Sequence, residues 1–360
     1  MMIRQLALAT LAIVCAGPVL AQDFEPPLER LIDGYIRPSM SEFAETAGSL
    51  PGAVDAVCAK APEKDAQETF RIAFAAAVEG FSKIHFLRFG PLLEDDRLNR
   101  LAFLPDPRGA AQRQIRKIYA KKDETVLSPQ TISAKSVAVQ GLTALQLIAF
   151  DKNSAVRLAE PDDDREFTCG YARSIAENIA GIAADLASEW DDPDGYAKVL
   201  LTSSTGNERF HTSKEAIESV FNTLVTGLII VRDQDLLPAL GSSQEDAKAY
   251  RFPFSRSGNS VVYMKAELQG IRDALFSMNL MAMTPEKFHW IYNGVDFEFS
   301  NAQGYLDNLQ SPLRQTFEDG DGYAQVSILA ITVKSIRNTL ATEMAGALQL
   351  AGGFNALDGD

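Results

Sequence analysis

The sequence predicts an all-α chain built as two up-and-down helical bundles. Three observations carry this. Apolar residues recur at steps of three and four through most of the chain, which is the period of one helix face. The breaks between these stretches fall where Pro and Gly gather, at 48–52, 90–91, 105–109, 192–195 and 239–243. No run alternates apolar and polar residues between turns of the Asn-Gly type, as paired strands would. Long helices joined by short loops are what such bundles need.

The first 21 residues read as a cleavable export signal. Arg4 supplies a positive start, Leu6 to Cys15 is an uncharged apolar run, and Gly17-Pro18 breaks it. Val19-Leu20-Ala21 then offers small residues at the positions a signal peptidase reads, so the cut falls after Ala21. The run is too short to span a bilayer, which takes about 20 residues, and no later transmembrane segment is expected. Helical periodicity follows over 24–47, 64–88, 109–122, 131–151 and 164–190. A boundary is expected at Trp190-Asp191-Asp192-Pro193-Asp194-Gly195, dividing the chain into bundles of residues 22–190 and 191–360. In the second half, residues 213–237 carry the stripe Ile217, Val220, Phe221, Leu224, Leu228 and Val231, with Pro238 expected to close the helix. Residues 258–279 form another helix. The last has the stripe Val326, Leu329, Val333, Ile336, Leu340, Met344 and Ala347, with a loop at 319–322 before it and Gly352-Gly353 after it.

Composition excludes more than it names. With 34 Lys+Arg against 48 Asp+Glu, the formal charge is -14, and loss of Arg4 with the signal makes it more negative. That argues against nucleic acid, whose phosphates need clustered cations, and against docking on anionic lipid. Three His and three Cys leave little material for large zinc or iron–sulfur sites. Cys15 leaves with the signal, so Cys58 and Cys169 remain; in an oxidising compartment they most simply form one structural disulfide, the alternative being two buried free thiols.

Motifs for catalysis are missing. His85, His211 and His289 stand in no zinc-peptidase arrangement, and there is no nucleophile elbow, Walker loop or dinucleotide fingerprint. Placing Gly322 at the sixth position of a calcium loop puts Phe317 and Ile328 where carboxylates belong. Asp162-Asp163-Asp164 precedes a helix and is expected to complement its positive end, the other reading being a metal site. His85, with Arg88 one turn on, sits at a helix C-terminus. It either lies beside free carbonyls or faces a cleft between the bundles. Ser255-Arg256-Ser257-Gly258 opens a helix; Arg256 and the free N–H groups there could hold an anion, or the Ser could simply be a cap. His85, Arg88 and Arg256 are thus candidates for one pocket.

Five stretches carry a resemblance. They are Leu87-Arg88-Phe89-Gly90-Pro91 with Pro105-Asp106-Pro107-Arg108-Gly109; Val137 through Gln146; Phe252-Pro253-Phe254-Ser255-Arg256-Ser257-Gly258; and Gly353 through Asp360. In this order, over nearly the whole exported chain, they resemble the imelysin-like family of bacterial cell-envelope proteins. The resemblance implies two helical bundles, export to the periplasm, a tie to iron acquisition, and an old classification among metallopeptidases. It also implies iron or another divalent metal as cofactor, held by the motif G-x-H-x-x-E. Here Gly141 matches, but Thr143 and Gln146 stand at the His and Glu positions. His and Glu three residues apart on one helix face offer a nitrogen and an anionic oxygen, whereas Thr and Gln offer only neutral oxygens, poor ligands for a transition metal. Gln146 cannot act as a general base. Thr143 and Gln146 could bind a small polar ligand or satisfy each other inside the bundle.

Two functions follow. One is a non-catalytic periplasmic binding or accessory protein, in the outer-membrane neighbourhood, whose partner is a small ligand, a metal or another envelope protein. The other is a metal-dependent hydrolase drawing ligands from outside the motif, such as His85 or His211 with nearby acids.

Overall fold

The computed structural model describes residues 22–351 apart from 162, 205, 318 and 319. The expected export signal, Asp162, Gly352-Gly353 and the C-terminal stretch from Gly353 to Asp360 lie outside the described residues. Among those described, the chain is helical, with one isolated bridge between Phe150 and Val156 and no strand.

In the first half, α1 (Glu25–Leu31) runs through a π-type turn (Ile32–Ile36) into α2 (Arg37–Gly48). Next come α3 (Leu50–Cys58), α4 (Ala66–Ile84), the short α5 (Arg97–Leu101), α6 (Ala110–Lys121), α7 (Pro129–Ile132), α8 (Gly141–Ala149) and α9 (Arg165–Asp191). The second half holds α10 (Tyr196–Leu201), α11 (Ser213–Ile229), a π-type turn (Ile230–Leu236) and α12 (Leu237–Leu240). It continues with α13 (Ser260–Ser277), α14 (His289–Asp307), α15 (Leu313–Thr316), α16 (Gly320–Asn338) and, after a further π-type turn (Thr339–Met344), α17 (Ala345–Ala347).

Helices α2, α3, α4 and α9 pack side by side, and α11, α13, α14 and α16 form the second group. The stripes read from sequence are the buried faces: Val220, Leu224, Leu228 and Val231, like Leu329, Val333, Ile336 and Leu340, are at most 1 % exposed. The two groups meet where α4 lies along α13. Gly270 permits that approach, because a Cβ there would sit 2.5 Å from the Tyr35 hydroxyl and 2.9 Å from the Lys83 carbonyl oxygen. Tyr35 donates to that same carbonyl at 2.6 Å. The apolar core runs unbroken from Phe24 to Leu350 across both groups. Cys58, ending α3, is bonded to Cys169 in α9, with Cα atoms 5.8 Å apart. The bridge closes a separation of 111 residues, a constraint on the unfolded chain of about 2–5 kcal/mol.

Several boundaries differ from expectation for local reasons. The helix expected over 131–151 is broken up: α7 ends at Ile132, a single 3-10 turn covers Val137–Val139, and Gly141, at φ +76°, starts α8. Pro238 does not close its helix: the helical chain continues through the π-type turn and past Pro238 to Leu240, and Gly241 at φ +67° makes the stop. Likewise Pro51 opens α3 instead of marking a loop. Residues 320–322 belong to the first turn of α16. Asp164 makes no side-chain cap to α9; its carboxylate pairs with Lys122. The chain at 255–258 is a set of turns, and α13 begins only at Ser260, so Ser255 and Ser257 spend their hydroxyls on the Tyr250 and Phe254 carbonyls. Helix α14 was not expected at all.

Candidate functional site

A pocket of about 480 Å³ lies between the two halves. Gly141 starts one wall. A Cβ on it would lie 2.4 Å from the carbonyl oxygens of both Arg100 and Leu101, so only glycine lets α8 begin against α5. From that start α8 presents Thr143 and Gln146, three residues apart, to the pocket. The Thr143 hydroxyl accepts from the Phe103 N–H at 3.1 Å, fixing the chain that leads into Pro105, Asp106 and Pro107. Asp106 in turn accepts from the N–H groups of Ala110 and Ala111 at 2.7 and 2.9 Å, at the start of α6. Gln146 is 8 % exposed, and its Oε1 is buried with no hydrogen-bond partner among the described residues. Thr143 and Gln146 therefore do not satisfy each other.

The second half supplies the opposite wall with Asp235, Tyr250, Phe252, Phe254, Arg256 and Arg314. Arg256 is on the turn before α13, its Nε donating to the Phe150 carbonyl at 2.7 Å. Arg314 donates through Nη1 to the Lys152 carbonyl at 3.3 Å. Burial and the neighbouring guanidiniums of Arg157 and Arg314 lower the proton affinity of Arg256, while Asp151 opposes them.

Behind Asp235 is a polar cluster sealed inside the α4–α13 contact. His85 follows the last residue of α4 and is 3 % exposed; Glu267 and Tyr263, from α13, are wholly buried. The His85 Nδ1 lies 3.2 Å from Glu267 Oε1 and 3.1 Å from the Tyr263 hydroxyl, and Arg88 donates to Nε2 at 3.2 Å. A ring nitrogen that accepts from arginine has no proton, so Nδ1 carries it and points to Glu267. Burial, reinforced by the charge of Arg88, holds the imidazole well below its usual range and keeps it neutral. Burial also pushes the Asp235 and Glu267 carboxyls up, Asp235 further by the nearby Glu267 and both opposed by Arg88. A single guanidinium, that of Arg88, faces two buried acids, and burial favours the protonated form of both.

The structure thus separates the sequence candidates. Thr143, Gln146 and Arg256 share the pocket. His85 and Arg88 do not line it but reach its wall through Asp235. His85 neither lies free beside helix carbonyls nor faces a cleft. His211 is exposed, its backbone N–H on Glu215, and His289 bonds the Thr284 carbonyl at 2.9 Å. Sequence reasoning missed Asp235, Glu267, Tyr263 and Arg314. A signal for two of them was present: Asp235 continues the step from Leu228 and Val231, and Glu267 sits between Tyr263, Met264, Gly270 and Ile271. An acid on an apolar stripe is a buried acid awaiting partners.

The metal implied by the resemblance does not fit these residues. Thr143 already uses its hydroxyl on Phe103. Gln146 is neutral, and among the described residues no group of three or more His, Cys, Asp or Glu is placed to hold a metal ion. The cluster around His85 is closed by Arg88 on its second nitrogen.

Two solved structures share the architecture. An imelysin-like protein from Psychrobacter arcticum superposes with a TM-score of 0.77 at 16% identity, covering 92% of this chain and 97% of that one. A protein named as an iron-regulated protein A precursor, from Parabacteroides distasonis, gives 0.68 at 12% identity, with 89% and 97% covered. At such identities the likeness is one of fold. Among curated proteins none matches this sequence. The imelysin family profile matches residues 36–339, most of the chain, in a region that contains Gly141 and both walls of the pocket. The chain therefore belongs to the imelysin family.

Proposed function

We propose that this imelysin-family chain is an exported, non-catalytic binding or accessory protein of the bacterial periplasm, serving iron or another metal's uptake. The observation that carries the reading is the pocket between the halves. It has a volume in the ~300–1,000 Å³ range of small-molecule sites, and it places Gln146, with an unpartnered buried oxygen, where a ligand would meet it. Family membership and a structural neighbour named for iron regulation support the link to iron. Export rests on residues 1–21, and no described helix is long and apolar enough to cross a membrane. A hydrolase needs a nucleophile or activated water beside a base that can take its proton. Here the buried histidine is fully engaged, and the motif's Glu position is an amide.

The test compares radioactive iron uptake by iron-starved cells with and without the gene, beside peptide hydrolysis by the purified protein. Reduced uptake in the deletion strain, with no hydrolysis above the buffer rate, is expected. Normal uptake without the gene, or metal-dependent turnover abolished by His85→Ala, contradicts the reading.

A further inference from the structure

The charges around the pocket settle unequally. Two acids of the lining are already committed, Asp106 to the N–H groups that open α6 and Asp233 to Arg232; Asp235 interacts with Glu267 behind the wall, and burial pushes its carboxyl toward the neutral form. The cations are held differently. Arg256 and Arg314 are each anchored by a backbone carbonyl; Asp151 acts on Arg256 through charge without an ion pair between them. Besides burial, the guanidiniums of Arg157 and Arg314 both weaken the hold of Arg256 on its proton, and Arg256 and Arg314 both line the pocket. A chain of net charge -14 has no general reason to assemble such a pair in a cleft.

Guanidinium forks match carboxylate and phosphate oxygens with paired, charge-assisted hydrogen bonds. The remaining walls choose between these. Phe103, Pro105, Pro107, Phe252 and Phe254 make much of the lining apolar, which favours a carbon skeleton over a fully hydrated inorganic ion. Gln146, more than nine-tenths buried, offers an amide to the same space. We propose that the pocket takes a small organic di- or tricarboxylate, held by Arg256 and Arg314, with the Gln146 side-chain N–H donating to one of its oxygens. This rests on the reading of the pocket as a ligand site and names its ligand class. The family's metal motif, with Thr143 and Gln146 in place of its ligands, would then have given way to an anion site.

The test is calorimetric titration of the purified protein with succinate, citrate and inorganic phosphate, each without metal. Succinate or citrate should bind one to one. A charge-assisted pair contributes enough that Arg256→Gln and Arg314→Gln should each weaken binding about ten- to a hundredfold. Gln146→Glu should weaken it too, because it adds a negative charge to the wall; a cation site would instead gain affinity. Arg256→Gln also loses the bond to Phe150, so thermal melts accompany the titrations, and Arg314→Gln and Gln146→Glu decide if it unfolds. The proposal is overturned if neither organic acid binds wild type at millimolar concentration. It is equally overturned if phosphate binds as tightly as they do, or if Arg314→Gln and Gln146→Glu bind like wild type. Binding failure with intact dependence of iron uptake on the gene removes the ligand class alone. Carboxylate binding without any uptake defect removes the iron function and leaves the site.

Discussion

At the scale of residues, the cluster of His85, Arg88, Asp235, Tyr263 and Glu267 sets how stability responds to pH. Asp235 and Glu267 have carboxyls raised by burial. Such groups favour the folded state fully at pH values below their unfolded pKa near 4, and that contribution is lost as pH rises toward the folded value. Each proton retained only by the folded chain costs about 1.4 kcal/mol per pH unit across that window. Asp235→Asn keeps the shape without the ionisation. Denaturant unfolding between about pH 6.5 and 8, above the range where His85 responds, should therefore show stability falling with pH in wild type and a shallower fall in the variant. Identical slopes would place the proton elsewhere. His85 acts in the opposite sense. Its imidazole is held neutral, so the stability it supplies is present above its unfolded pKa of about 6.5 and is lost as pH falls below it. His85→Phe should flatten the acid limb of the curve, below that pH, and an unchanged limb would contradict the neutral assignment. Asp235, Tyr263 and Glu267 were hard to see in the sequence because the cluster draws on three separate segments, the end of α4, the π-type turn at 230–236 and α13. Only position on an apolar stripe marked the two acids, while Gln146 was found through the motif it departs from.

At the scale of elements, periodicity located most helices and local chemistry moved their ends. The long stripes of α4, α9, α11, α13 and α16 were legible because each buries one face. Helix α14 was not, although Ile291, Tyr292, Val295, Phe299, Ala302 and Leu306 keep the same steps. Trp290 and Phe297 on its solvent side, 59% and 65% exposed, blur the contrast between faces. The π-type turn at 230–236 was equally invisible. It adds a residue to the turn, and both Asp235 and Leu236 point inward as a result. For α8 the controlling residue is Gly141. An alanine there meets the Arg100 and Leu101 carbonyls and takes a positive φ, so Gly141→Ala should destabilise by about 2–5 kcal/mol from strain and overlap together. A change under about 0.5 kcal/mol in urea unfolding would show that α8 starts differently.

For the whole molecule, the two halves share one core, and the pocket lies between the chain at 103–112, which leads into α6, and the chain at 250–256. The disulfide fastens α3 to α9 in the first half. Its pairing was readable from cysteine count once export was assumed; the space it bridges was not. Cys58→Ser should lower stability by about 2–5 kcal/mol without altering ligand binding, since neither cysteine lines the pocket. A loss of binding in a variant that remains folded would couple the bridge to the site. The central claim, that the pocket between the halves does the biological work, is tested most directly by filling it. Growth on iron-limited medium is measured for a deletion strain complemented with wild type or with Gln146→Trp, protein levels being matched by immunoblot. Rescue by wild type and failure of Gln146→Trp is the expected result; equal rescue by both would contradict the claim.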